Sequence, residues 1–121
     1  MSAKCAVPLT VLYAQDGDAW VVLACELSVV TQGDSVEQAR EMLKEAVEVY
    51  VSAVVELGQI SELARPVEPE YLAEYFAGEG VITEYHSLLM TVEAEPAPKV
   101  VALEFVPSAV APFCCHQSVA A

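Results

Sequence analysis

Between Ser35 and Gly58 the apolar residues follow a pattern that a long amphipathic helix satisfies, and this segment constrains everything around it. They recur at Val36, Ala39, Leu43, Ala46, Val47, Tyr50, Val54 and Leu57, a spacing that lines them along one face at 3.6 residues per turn. The opposite face carries Glu37, Arg40, Glu41, Lys44, Glu45 and Glu48, with Glu37–Arg40 and Lys44–Glu48 spaced to pair within the helix. Ser35 with Gln38 three residues later reads as a capping box, and Gly58 is a natural stop. The predicted helix has about six turns and is roughly 33 Å long. Val49, Val51 and Val55 fall off the main stripe, so its second half is expected to be covered by a later segment or by a second copy across an oligomer interface.

Strand patterns flank this helix. Val7 to Tyr13 is a β-branched and aliphatic run, and Asp16-Gly17-Asp18 after it is a strong hairpin signal. Ala19 to Leu27 reads as the second strand, with Trp20, Val22, Ala24 and Glu26 on one face and Val21, Leu23, Cys25 and Leu27 on the other. Val29 to Gln32 is a short third strand, which completes an antiparallel meander. Beyond the long helix, Arg65-Pro66 and Pro69 mark a linker, and Glu70 to Ala77 predicts a short helix started by Pro69 and ended by Gly78-Glu79-Gly80. Strand-like runs over Tyr85 to Val92 and Lys99 to Val106, separated by Pro96-Ala97-Pro98, predict a second β-hairpin. The expected class is α+β: a three-stranded antiparallel meander packed by one long helix, then a short helix and a second hairpin. One domain spans residues 1–106, and residues 107–121 form an unassigned tail.

Charge narrows the function. With 18 acidic and 5 basic residues among 121, the formal net charge is −13. Nucleic-acid readers need Lys and Arg for phosphate contacts, so direct DNA or RNA binding is not expected, nor is an anionic membrane surface. A basic protein partner is, although acidity also serves solubility alone. The opening residues Met1-Ser2-Ala3-Lys4-Cys5-Ala6 lack a signal-peptide core and no apolar run approaches a membrane span, so the cytoplasm is the expected compartment.

The search for chemistry finds little. Cys5, Cys25, Cys114 and Cys115 form no C-x-x-C pair, and free thiols without a metal or cofactor are expected. Cys114-Cys115-His116 is an awkward ligand set for one tetrahedral site. Cys114 or Cys115 with His116 or His86 is the only conceivable nucleophile pair, and Asp16 with Asp18 reads as turn chemistry. The chain is therefore not expected to be an enzyme. Residues 66–98 stand out instead, because they contain Glu68, Glu70, Glu74, Glu79, Glu84, Glu93 and Glu95 and no Lys or Arg. Tyr71, Tyr75, Phe76 and Tyr85 are interleaved with them. Carboxylates beside tyrosines suit a partner rich in Lys and Arg. The candidate contact residues are Glu68, Glu70, Tyr71, Glu74, Tyr75, Glu79 and Glu84; a solvated face with its aromatics turned inward is the competing expectation.

From about Leu9 to Gly58 the chain resembles the N-terminal domain of the HicB family of antitoxins. The resemblance rests on the strand before Asp16-Gly17-Asp18-Ala19-Trp20, the strand from Val21 to Leu27, and Thr31-Gln32-Gly33-Asp34-Ser35 leading into a Glu- and Ala-rich helix. It implies a truncated RNase H-like fold without the nuclease's metal-binding carboxylates: a three-stranded antiparallel sheet, a helix on it and a further strand. It also implies a cytoplasmic, commonly dimeric toxin–antitoxin partner that masks a small basic HicA-type RNase by direct binding. Two features depart from the family pattern. Leu27-Ser28-Val29-Val30 stands where a Leu-Pro-Gly-Cys-like turn is common, and no Lys or Arg follows Lys99, so the usual C-terminal DNA-binding motif is not expected. The alternative is a stand-alone acidic inhibitor or adaptor, of phage type, that mimics nucleic acid and blocks a basic nucleic-acid-binding protein.

Overall fold

Fifteen residues of one strand, β1 (Ser2–Asp16), carry the rest of the molecule. The computed structural model describes residues 2–78, 80–95 and 97–108. After β1 come β2 (Ala19–Ala24), β3 (Val29–Gly33), the long helix α1 (Val36–Glu56) and a 3-10 turn at Ile60–Glu62. The short helix α2 (Pro69–Tyr75) and the strands β4 (Ile82–Glu93) and β5 (Lys99–Pro107) follow. The architecture is α+β, with a five-stranded antiparallel sheet in the order β3-β2-β1-β4-β5. The second hairpin therefore completes the first sheet within one chain, and the meander is three strands of five. Register runs from Ser2 opposite Glu93 to Tyr13 opposite Ile82 on one side of β1, and from Val11 opposite Ala24 to Asp16 opposite Ala19 on the other.

β1 begins five residues before the run that sequence marks as a strand. Ser2 to Ala6 have little strand preference of their own, and β4 holds them by pairing. Pro8 is tolerated within β1 because of where β2 stops. Thr10 directs its amide to Glu26 and its carbonyl to Cys25, both on the β2 side. Two residues earlier the Pro8 nitrogen faces that same side, beyond the end of β2, so its missing N–H removes no ladder bond.

β2 ends at Ala24, three residues sooner than its apolar run predicts. The buried Glu26 carboxylate accepts from the Thr10 amide at 2.7 Å and from the Thr10 hydroxyl at 3.1 Å, taking the place of a strand partner. Ser28 then adopts a left-handed φ of 54° and turns the chain into β3. The turn swings Leu27 into the main core, where sequence alternation had put it on the other face.

The Ser35 hydroxyl caps α1 by accepting from the Gln38 amide at 3.0 Å, and the Gln38 side chain accepts from the Asp34 amide at 2.5 Å. At the other end Gly58 takes φ +72° and donates to Val55, while Gln59 donates to Val54, closing the helix with paired reverse bonds. Gly33 fits a close approach: a Cβ there would lie 2.6 Å from the Ala39 nitrogen in the first turn of α1.

The buried residues of α1 are Ala39, Leu43, Val47, Val51 and Val55, packed on Leu9, Val11, Tyr13, Val22, Leu88 and Met90. Val51 and Val55 thus belong to the core of one chain and not to an oligomer interface, with only 0% and 1% of their surface exposed. The reason is geometric. A row of residues four apart is inclined to the helix axis, so it winds away from a straight stripe, and it stays covered because β-strands twist and Leu63 joins the same cluster. Val49 alone of the three points outward, 71% exposed.

Past α1, the chain rounds the end of the sheet. Leu63 joins the main core and its carbonyl accepts from the Tyr50 hydroxyl at 2.8 Å. The amides of Arg65 and Val67 donate to the carbonyls of Glu26 and Cys25. α2 then lies on the face opposite α1, where Phe76 packs with Leu23 and Cys25, and Tyr71 and Leu72 pack against them.

Two substitution pairs test this packing by denaturant unfolding. Gly33→Ala is expected to cost about 1–3 kcal/mol, because a backbone neighbour must move, whereas Gly78→Ala, with nothing within 4 Å, stays near neutral. Val51→Ala is expected to cost roughly 1–3 kcal/mol, while Val49→Ala leaves the unfolding midpoint within experimental scatter. Equal effects at Val49 and Val51 would overturn the assignment of Val51 to the core.

Candidate functional site

Two regions concentrate polar chemistry, and they lie on opposite faces of the sheet. On the α1 face, β4 alternation puts Glu84 and His86 on the same side as Leu88 and Met90. Register sets Glu84 beside Val11 and one diagonal step from Tyr13. The Tyr13 hydroxyl donates to Glu84 Oε1 at 2.7 Å, and Arg40 closes a two-point contact, Nε to Oε1 at 3.2 Å and Nη2 to Oε2. His86 Nε2 lies 3.1 Å from the same Oε1, and the Arg40 guanidinium stands 5.7 Å from the Tyr13 ring centroid.

These contacts set protonation. Burial raises the Glu84 pKa, but the hydrogen bonds from Arg40, Tyr13 and His86 outweigh it and hold the carboxyl down at about 2. Burial, and then the bond to Glu84, push the Tyr13 phenol above its ordinary value, so it remains a donor. Bonding to Glu84 likewise raises the Arg40 guanidinium. The cluster ties α1 to β4 and borders a groove of about 580 Å³ lined by Arg40, Lys44, Thr83, Glu84, Tyr85, His86, Phe105, Pro107 and Ser108.

The intrahelical pairs expected from spacing do not form. Arg40 turns to Glu84 and not to Glu37, because β4 delivers a partly buried carboxylate within its reach. Lys44 meets Glu41 at 3.5 Å, not Glu48. Glu84 is thereby removed from the partner-contact set: its carboxylate is spent on three donors, on the face away from α2.

The second region is α2. Glu68, at its N-cap, with Glu70, Glu74 and Tyr75, is exposed, while Tyr71 is half-buried. Tyr71 and Tyr75 rings sit 4.8 Å apart, and the Glu74 carboxylate pushes the Tyr75 phenol upward. Five of the seven expected contact residues are therefore gathered on one short helix. Glu79, like Cys114, Cys115 and His116, lies outside the described residues. Asp16 and Asp18 border the β1–β2 turn. Among the described residues no group of three or more His, Cys, Asp or Glu is placed to hold a metal, and no helix is long and apolar enough to cross a membrane.

Sequence reasoning missed Tyr13, Arg40 and Lys44 as neighbours of Glu84 and His86. The available signal was Glu84 and His86 two apart in a strand whose inner face continues as Leu88 and Met90. Polar groups on an inward face need partners.

The cluster also predicts a pH dependence. A carboxyl held at about 2 when folded and near 4.5 when unfolded adds stability that is full above pH 4.5 and is lost as pH falls toward 2. Glu84→Gln should therefore cost on the order of 1–3 kcal/mol near neutral pH, a figure reduced by partial solvent screening. The gap between wild type and variant, followed by urea unfolding, should narrow over that acid window. A gap that stays constant from pH 6 to pH 2 would show that Glu84 is not the group responsible.

Compared with known proteins, the chain matches no family model, no curated protein and no solved structure.

Proposed function

We propose that this chain is a non-catalytic protein-binding module that holds a basic partner on the acidic, tyrosine-bearing side of α2. The observation that carries this reading is one short helix presenting exposed Glu68, Glu70 and Glu74 beside Tyr75, which is 56% exposed. An apolar cluster under Tyr71, Leu72 and Phe76 fixes that helix to the sheet, so its outer side meets a partner with little ordering left to do. The formal net charge of −13 speeds encounter with a cationic protein.

In its narrower form the partner is a small basic RNase of HicA type, and the chain acts as a HicB-like antitoxin in the cytoplasm. The order β1-β2-β3-α1 with β4 added to the sheet later supports that form, as does the acidity, while α2 and β5 are additions to the implied pattern. A dimer remains part of the proposal, without Val51 and Val55 in its interface. A larger nuclease or polymerase as partner would instead match an acidic inhibitor that imitates nucleic acid.

The test compares the tagged full chain with a Glu68→Gln, Glu70→Gln, Glu74→Gln variant in pull-downs from the native host at low salt. Wild type should retain one basic protein that salt releases. Three exposed ion pairs at roughly 0.2–1 kcal/mol each predict a several-fold to about hundredfold weaker hold by the variant. Recovery of the chain alone, or equal retention by both forms, would refute the proposal; the mass of the retained protein separates the two partner classes.

A further inference from the structure

The groove on the α1 face has a chemistry that partner binding through α2 leaves unused. Its volume, about 580 Å³, falls within the range of small-molecule sites. Arg40 and Lys44 border it with Glu84, and Glu41 stands beside Lys44, so its rim is near charge balance on a strongly acidic chain. Lys44 leans on Glu41 at 3.5 Å, but that carboxylate is 69% exposed and such a contact restrains the ammonium weakly. His86, which lines the groove and is only 9% exposed, has its Nδ1 buried without a hydrogen-bond partner. Phe105 and Pro107 supply an apolar wall, and Phe105 stands edge-on to the His86 ring at 6.4 Å between centroids.

We propose that this groove binds a small organic anion, a carboxylate or phosphate group on a flat apolar body. Lys44 takes the anionic head, with the Arg40 guanidinium behind it, and the body lies against Phe105 and Pro107. A lysine held only by an exposed partner is a group that a ligand can engage without dismantling the Glu84 cluster. This site is independent of the partner-binding reading, since α2 lies on the other face of the sheet.

The experiment is a nitrogen-15 NMR titration of the full chain at fixed ionic strength with benzoate, phenyl phosphate and uncharged benzyl alcohol. The anions should give saturable shifts confined to Lys44, Thr83, His86 and Phe105, including the His86 ring nitrogens, with a Kd of about 1 mM or tighter. Tighter binding of benzoate identifies a carboxylate site, and tighter binding of phenyl phosphate a phosphate site. Lys44→Gln should weaken the preferred anion about tenfold, while Lys99→Gln, an exposed lysine elsewhere, leaves it unchanged. The proposal is overturned by no saturation at roughly 20 mM, by benzyl alcohol binding as well as the anions, or by an unaffected Lys44→Gln variant.

Discussion

The pairing of β1 with β4 joins residues that lie between 69 and 91 positions apart along the chain. Closing a loop of that length costs entropy that grows only with the logarithm of its size, and a twelve-residue ladder repays it many times over. The ladder does more than widen the sheet. It puts Leu88 and Met90 under α1 and holds the weak strand formers at the start of β1. It also carries Glu84 and His86 to a position that Arg40 can reach. Without it α1 would lose Leu88 and Met90 beneath it, Tyr13 would stand beside no carboxylate, and the groove would have no floor.

Local chemistry made much of the fold readable. The Ser35 cap, the apolar spacing of α1 and the stop at Gly58 are written within a few residues of where they act. The turn at Gly17 and the proline at the start of α2 are equally local. What stayed hidden depends on distant partners. Val51 and Val55 look surplus on a straight helical stripe, and only the sheet beneath α1 makes them part of an inclined buried row. Glu26 reads as one more residue on the Trp20, Val22 and Ala24 face of a strand until Thr10 is placed opposite it. Glu84 reads as one more glutamate in an acidic stretch, since nothing near it in sequence announces Arg40. For the candidate site the result divides in the same way: α2 gathers what sequence proposed for a partner surface, and the groove is assembled from residues that sequence kept apart.

The acidity of the chain is sorted by the same long-range contacts. Glu26 and Glu84 lie inside or at the margin of the core, each held by donors from β1, and their loss would be felt as stability. Glu68, Glu70 and Glu74 stand exposed to solvent. Repulsion among exposed carboxylates is damped over a Debye length of about 8 Å at physiological ionic strength, so the fold tolerates them at small cost. A cationic surface that displaces the screening ions meets their full field. The two classes of carboxylate therefore answer to different pressures, one to packing and one to whatever approaches α2. The opposite placement of the two regions has a physical consequence as well. A ligand in the groove touches α1, β4 and β5, while a partner on α2 touches a helix anchored through Leu23, Cys25 and Phe76. Among the described residues the sheet lies between them, and its inner strands β2, β1 and β4 are held by ladders on both sides. Coupling between distant sites requires an element with two arrangements, and a paired five-stranded sheet is a poor candidate for one. Occupancy of the groove is thus expected to leave the partner surface as it is, so that either site can be altered without disturbing the other.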